Sequence, residues 1–123
     1  MKTPGYLKLL ENGKLEKRIN RLYSMLEKCN VCPRECGVNR LKNEKGFCRS
    51  GRLPQISSHA PHFGEEPPLS GNCGAGTVFF TNCNMKCVYC QNYQISQQGF
   101  GKEVSEEELA DIMLDLQKMQ CHN

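Results

Sequence analysis

Between residues 14 and 28 the apolar side chains fall at Leu15, Ile19, Leu22 and Leu26. Intervals of three and four place them on one stripe of a helix, with Lys and Glu on the other faces. Gly13 interrupts the longer segment LKLLENGKLEKRINRLYSMLEK, so the predicted helix begins after it and covers 14–28. A second helix is predicted over 106–120. There Leu109, Ile112, Met113 and Leu116 share one face. Ser105 followed by Glu108 forms a capping box, with Val104 and Leu109 placed as its hydrophobic staple. Between the two helices the pattern changes. TVFFT, residues 77–81, is β-branched and aromatic after a glycine cluster, which predicts a short buried strand.

These elements divide the chain into four parts. Residues 1–28 are a helical segment, and 29–52 a knuckle with four cysteines. Residues 53–76 are a Pro/Gly-rich connection whose breaks at Pro54, Pro61 and Pro67-Pro68 argue against a long helix or a central strand. Residues 77–123 run strand, cysteine loop, helix. That order is the opening of a βα unit, with the loop at the carboxyl end of the strand, where α/β folds place their chemistry. The predicted fold class is therefore α/β.

Composition narrows the function. Hydrophobic residues make up 38% and charged residues 24% of the 123-residue chain, and the net charge is +3. That charge is too small to argue for nucleic acid, and no apolar run is long enough to span a membrane. The N-terminus lacks the apolar core of a secretory signal, so the chain reads as cytoplasmic. Nine cysteines, an odd number without an export signal, point to metal ligands rather than disulfides.

Two cysteine sets stand out. TNCNMKCVYCQN carries Cys83, Cys87 and Cys90 at C-x3-C-x2-C. Three thiolates can hold three corners of a cubane 4Fe–4S cluster, leaving one iron without a protein ligand. An open coordination position marks a reactive metal rather than a structural one. Upstream, Cys29, Cys32, Cys36 and Cys48 form C-x2-C-x3-C-x11-C, a complete four-thiolate set for Zn²⁺ or a second iron–sulfur cluster. Pro33 and Gly37 would turn its backbone, and Arg34, Arg40, Lys45 and Arg49 would offset thiolate charge. Cys73 and Cys121 fit neither set. His59, His62, Glu65 and Glu66 are a further candidate for a metal or a proton shuttle, set against an ordered proline-rich loop. Gln91 and Asn92 lie within reach of a ligand at the loop but also suit simple backbone satisfaction.

The three-cysteine loop, with Tyr89 before its last cysteine, resembles the radical S-adenosylmethionine (SAM) superfamily. CNVCPRECGVNR, GFCRSG and HFGEEPPLSGNCGAGTVFFTNCNMKCVYCQNYQIS extend the likeness from about residue 29 to the end. They are similar to its branch of pyruvate formate-lyase activating enzyme-like and uncharacterised iron–sulfur proteins. The resemblance implies that the strand and helix open a (βα) barrel, and that Cys83, Cys87 and Cys90 hold a 4Fe–4S cluster. It implies that SAM chelates the free iron, with Tyr89 against the adenine, and that reductive cleavage gives a 5′-deoxyadenosyl radical. A reducing protein such as a flavodoxin or ferredoxin would supply the electron. One option for the substrate is a backbone glycine of a partner enzyme.

The departures shape the expectation equally. Only 33 residues follow Cys90, and no glycine-rich segment for the SAM amino group is among them. The sequence thus reads as the N-terminal part of such a protein, with a truncated barrel and no catalysis of its own. The rival readings are an iron–sulfur electron carrier, which would have two closed four-cysteine sites, and a zinc-stabilised interaction module, which would bind no iron.

Overall fold

The structure is a computed structural model and describes residues 4–123. Two helices open it, α1 (Gly5–Glu11) and α2 (Lys14–Glu27). Gly13 separates them in a left-handed conformation, φ 66°, which a residue without a Cβ adopts at no steric cost. The apolar stripe of α2 is real but shallowly covered: Leu15 and Leu26 are half-buried, while Ile19 and Leu22 are exposed.

A 3-10 turn at Arg40–Lys42 sits inside the cysteine knuckle and packs on α2. Asn39 caps it by accepting the Lys42 N–H. Next come β1 (Gln55–His62), α3 (Pro67–Ser70), β2 (Ala75–Phe80), α4 (Tyr93–Ser96), β3 (Lys102–Glu103) and α5 (Glu106–Lys118). The strands form one antiparallel sheet in the order β2-β1-β3.

The expectation that residues 53–76 hold no central strand is overturned. β1 lies there, in the middle of the sheet, and contains Pro61. The reason is the short reach of β3, which pairs only with Gln55 and Ile56. Pro61 pairs with Gly76 of β2 and has no third strand beside it, so proline's missing N–H breaks no ladder on that side. A bulge between Ile56 and Ser58 offsets the register against Phe80 and Phe79. The strand predicted over 77–81 begins two residues earlier, at Ala75, and Thr81 falls outside it. The direct step from cysteine loop to helix is also interrupted, because α4 and β3 intervene.

α5 carries the predicted capping box. Ser105 Oγ accepts from Glu108 N at 3.1 Å, and Glu108 Oε2 accepts from Ser105 N at 2.7 Å. The helix packs on β1 and β2 through Leu116, which is buried, and through half-buried Leu109 and Ile112. Met113, on the same predicted face, is 52% exposed. The buried apolar side chains among the described residues are Cys29, Ile56, Ala75, Val104 and Leu116. This is a small core, centred where β1, β3 and α5 meet. No helix among the described residues is long and apolar enough to cross a membrane.

Candidate metal centre

The loop that carries Cys83, Cys87 and Cys90 leaves the end of β2 and is tied down at its base. Gln55 of β1 does much of this. Its Oε1 accepts from Asn82 Nδ2 at 2.6 Å and from Thr81 Oγ1 at 3.2 Å. The Asn82 N–H donates to the Ile95 carbonyl at 2.9 Å, which ties the loop's entrance to α4. Asn82 and Lys86 both take left-handed backbone conformations, φ 68° and 52°. They curl the chain so that its amides turn toward the first sulfur. Met85 N lies 3.3 Å from Cys83 Sγ. The N–H groups of Met85 and then Lys86 hold the Cys83 thiol below its ordinary value, against a smaller opposing effect of burial.

The other two cysteines are supported from α4 and the turn after it. Cys90 Sγ lies 3.2 Å from Ser96 Oγ. Gln97 Nε2 donates to the Cys87 carbonyl at 2.7 Å. Tyr89, placed against adenine by the resemblance, is 91% exposed beside Val88, which is fully exposed. Gln91 and Asn92 are exposed as well.

The knuckle packs directly against this loop. Arg34 Nε donates to the Asn84 carbonyl at 2.7 Å. Phe47 joins the two segments: the Arg34 guanidinium lies 3.4 Å from its ring centroid, and the Lys86 ammonium 4.3 Å. A cavity of about 440 Å³ lies between them, lined by Cys29, Cys32 and Cys48 of the knuckle and by Cys83 of the loop.

Arg40 stands inside the knuckle. It is 6% exposed and donates through Nε to Cys29 Sγ at 2.9 Å and through Nη2 to Cys36 Sγ at 3.5 Å. A third bond runs to the Ser50 carbonyl. Burial works against a charged Cys29, but the Val31 N–H and the Arg40 guanidinium outweigh it and hold the thiol below its ordinary value. Cys48 is lowered in the same way: burial opposes, while the Ser50 N–H and hydroxyl and Arg40 prevail.

All nine cysteines are free thiols. Cys73 is exposed and Cys121 half-buried. Among the described residues, no group of three or more His, Cys, Asp or Glu side chains is arranged to hold a metal ion. The three loop thiols lie on one short turn, and Cys29 and Cys36 of the knuckle on one arginine, without closing on a common centre. The His59, His62, Glu65, Glu66 set is not brought together either. His62 Nε2 and Glu65 Oε1 are 3.7 Å apart, while Glu66 serves as the N-terminal residue before α3, its carbonyl accepting from Leu69 and Ser70.

The donor chemistry of the loop nevertheless fits an iron–sulfur cluster. Three thiols occur on one turn, with amides directed at one sulfur and a hydroxyl at another, the usual setting of cluster thiolates. Sequence comparison agrees with this chemistry. Residues 69–123 match the family model of a 4Fe-4S single cluster domain, so a 4Fe–4S cluster-binding domain is present. Over 98 residues, 80% of the chain, the sequence is 36% identical to the uncharacterized protein MJ0674 of Methanocaldococcus jannaschii. The chain spans 28% of the length of that relative. No solved structure matches it.

The sequence alone did not point to Gln55, Ser96 or Gln97. Gln55 is 27 positions from Asn82, and only strand pairing brings them together. Ser96 and Gln97 act through the turn of α4, a short helix without a strong apolar signature.

Proposed function

We propose that this chain carries the cluster-bearing part of a radical SAM protein of the pyruvate formate-lyase activating enzyme-like branch. The observation that carries the reading is the C-x3-C-x2-C loop, which follows a strand and lies within the segment matched to a 4Fe–4S single cluster domain. In this reading the strand β2 and helix α5 belong to a (βα) barrel. Cys83, Cys87 and Cys90 are the cluster ligands. When bound, the cluster supplies the open iron and the electron for SAM cleavage.

The protein's own part is positioning. Gln55 anchors the loop to the sheet through Thr81 and Asn82. The amides of Met85 and Lys86 favour the thiolate of Cys83, and Ser96 Oγ lies 3.2 Å from Cys90 Sγ. Tyr89 stands free on the loop, available to stack on an adenine. An electron-donating protein such as a flavodoxin or ferredoxin is the implied partner, with a protein glycine as one class of substrate.

The test is anaerobic reconstitution with iron and sulfide. Iron should fall when Cys87 is replaced by Ala. The electron paramagnetic resonance spectrum of the reduced cluster should change on adding SAM, because SAM occupies the open iron. A cluster whose spectrum ignores SAM even in large excess overturns the SAM reading and favours an electron carrier. A Cys87→Ala protein with the parent's iron content overturns the ligand assignment.

A further inference from the structure

The matched cluster domain begins at residue 69, and the knuckle lies wholly outside it. Within the knuckle a guanidinium is buried without a carboxylate. The ion pairs among the described residues are Arg52–Glu106, His62–Glu65 and Lys118–Asp115, and none involves Arg40. The side-chain partners of Arg40 are instead the sulfurs of Cys29 and Cys36. A buried cation requires compensating negative charge. The groups at hand are the sulfurs of Cys29 and Cys36, which accept from it. As ligands of a metal, four thiolates would carry about four negative charges against that single positive one. A divalent metal bound among them removes most of the excess.

Two further features fit this. Cys29, Cys32 and Cys48 line one cavity, so their positions are accessible from a common space. Gly46 lets the backbone approach the fourth sulfur closely: a Cβ there would lie 2.5 Å from Cys36 Sγ and 3.1 Å from its Cβ. A side chain at that position would push Cys36 off the site.

We infer that Cys29, Cys32, Cys36 and Cys48 form a second, four-thiolate metal centre, with the Arg40 guanidinium hydrogen-bonded to its sulfurs. The ligand is a thiophilic metal, either Zn²⁺ or iron within a cluster. Closing the set requires the sulfurs to turn inward and Arg40 to withdraw to their outer side, keeping its bond to the Ser50 carbonyl. There it acts as an outer partner of the ligands rather than as a ligand. Because Cys83 lines the same cavity, this centre would brace the wall of the loop as well.

The experiment uses the full chain with Cys83, Cys87 and Cys90 all replaced by Ala. This removes the loop's ligands and keeps the two centres separable. Zinc, iron and sulfide are measured in the protein as purified and after anaerobic reconstitution. About one thiolate-bound centre per chain should remain. Zinc without sulfide identifies a zinc site, and iron with sulfide a cluster. Co²⁺ is a direct probe that needs no change in the knuckle: it should give a thiolate-to-cobalt charge-transfer absorption. In the same background Arg40→Met should weaken metal retention against a chelator by about 10–100-fold, and Arg40→Lys should recover part of the loss. A loop variant that takes up neither zinc nor iron and gives no cobalt–thiolate band overturns the inference, whatever the loop itself binds.

Discussion

Tyr23 of α2 donates its hydroxyl to Glu106 of α5 at 2.7 Å, across 83 positions of sequence. Arg52 reaches the same carboxylate oxygen at 2.9 Å, and its guanidinium lies 5.7 Å from the Tyr23 ring centroid. The three side chains pin the N-terminal helix to the first turn of the last helix. Glu106 also suits the positive end of the α5 dipole.

This junction should shape the dependence of stability on pH. The Tyr23 hydroxyl is the main cause that holds Glu106 below the usual carboxylate range. Such a group contributes stability that is fully present above its unfolded value and lost as pH falls through the lowered folded value. The same bond, with Glu106 as acceptor, is the main cause that raises Tyr23 above its ordinary value of 10.0. Its contribution is present below that value and lost as pH rises through the raised one. Tyr23→Phe should therefore flatten the stability profile at both its acid and alkaline ends, as read by urea midpoints across pH. A profile identical to the parent's at both ends would show that the bond carries no linkage.

The core makes a sharper demand. Leu116 is 5% exposed, and its face of α5 covers β1 and β2. Leu116→Ala should cost about 2–5 kcal/mol, the range for truncating a buried leucine. Met113→Ala, at a half-exposed position on the same helix, should change stability by less than about 1 kcal/mol. Equal losses at the two sites, measured by urea unfolding, would mean that α5 packs on a different face.

Much of this was legible in the sequence because it is local. The capping box needs only Ser105 and Glu108, three residues apart, and the break at Gly13 needs only a residue that tolerates positive φ. The three-cysteine loop was visible for the same reason, since its spacing lies within eight residues. The central strand was not visible. Pro61 speaks against one by its own chemistry, and its tolerance depends on β3 ending its pairing at Ile56. Nor could spacing show that Arg40 alone, among four basic residues of the knuckle considered, would be buried against its sulfurs. Charge offset was foreseeable as a need, but the residue meeting it is chosen by the 3-10 turn.

Backbone approach gives a third prediction. A Cβ on Gly101 would lie 2.7 Å from the Ile56 carbonyl oxygen and would also strike the Thr81 methyl. Neither the strand carbonyl nor buried Thr81 can yield easily. Gly101→Ala should destabilise the protein by about 1–3 kcal/mol through overpacking where β3 meets β1. Gly5→Ala is the control: nothing lies within 4 Å of its Cβ position, and α1 should gain slightly. Thermal unfolding of the two variants should move in opposite directions.

Cys83 should show its environment before any metal is added. The Met85 and Lys86 amides lower its thiol below the ordinary value of 9.0. The thiolate is the reactive form, so in metal-free protein the pH profile of Cys83 alkylation should be displaced to lower pH than that of an unperturbed thiol. Met85→Pro removes the first of the two amide hydrogens, and the profile should return toward higher pH. Peptide mapping after limited iodoacetamide treatment reads the site directly. A parent profile at the ordinary thiol position would remove the loop's amides from the account.

The last prediction concerns the third loop cysteine and rests on the cluster assignment proposed above. Ser96 Oγ lies 3.2 Å from Cys90 Sγ, and as a metal-bound thiolate this sulfur can only accept. A hydroxyl donor to a cluster sulfur stabilises the extra negative charge of the reduced state more than that of the oxidised state. Ser96→Ala should therefore make the cluster harder to reduce. A net bond of about 1 kcal/mol corresponds to a potential lower by on the order of tens of millivolts for one electron. The iron content should stay at the parent's level, because no ligand is lost. Redox titration of the reconstituted cluster followed by electron paramagnetic resonance measures the potential, and chemical iron analysis the content. A potential unchanged or raised in the variant would show that the hydroxyl does not donate to Cys90 in the cluster-bound protein. Loss of iron instead would mean that Ser96 holds the loop in shape, and that its role is to position Cys90 rather than to tune the cluster.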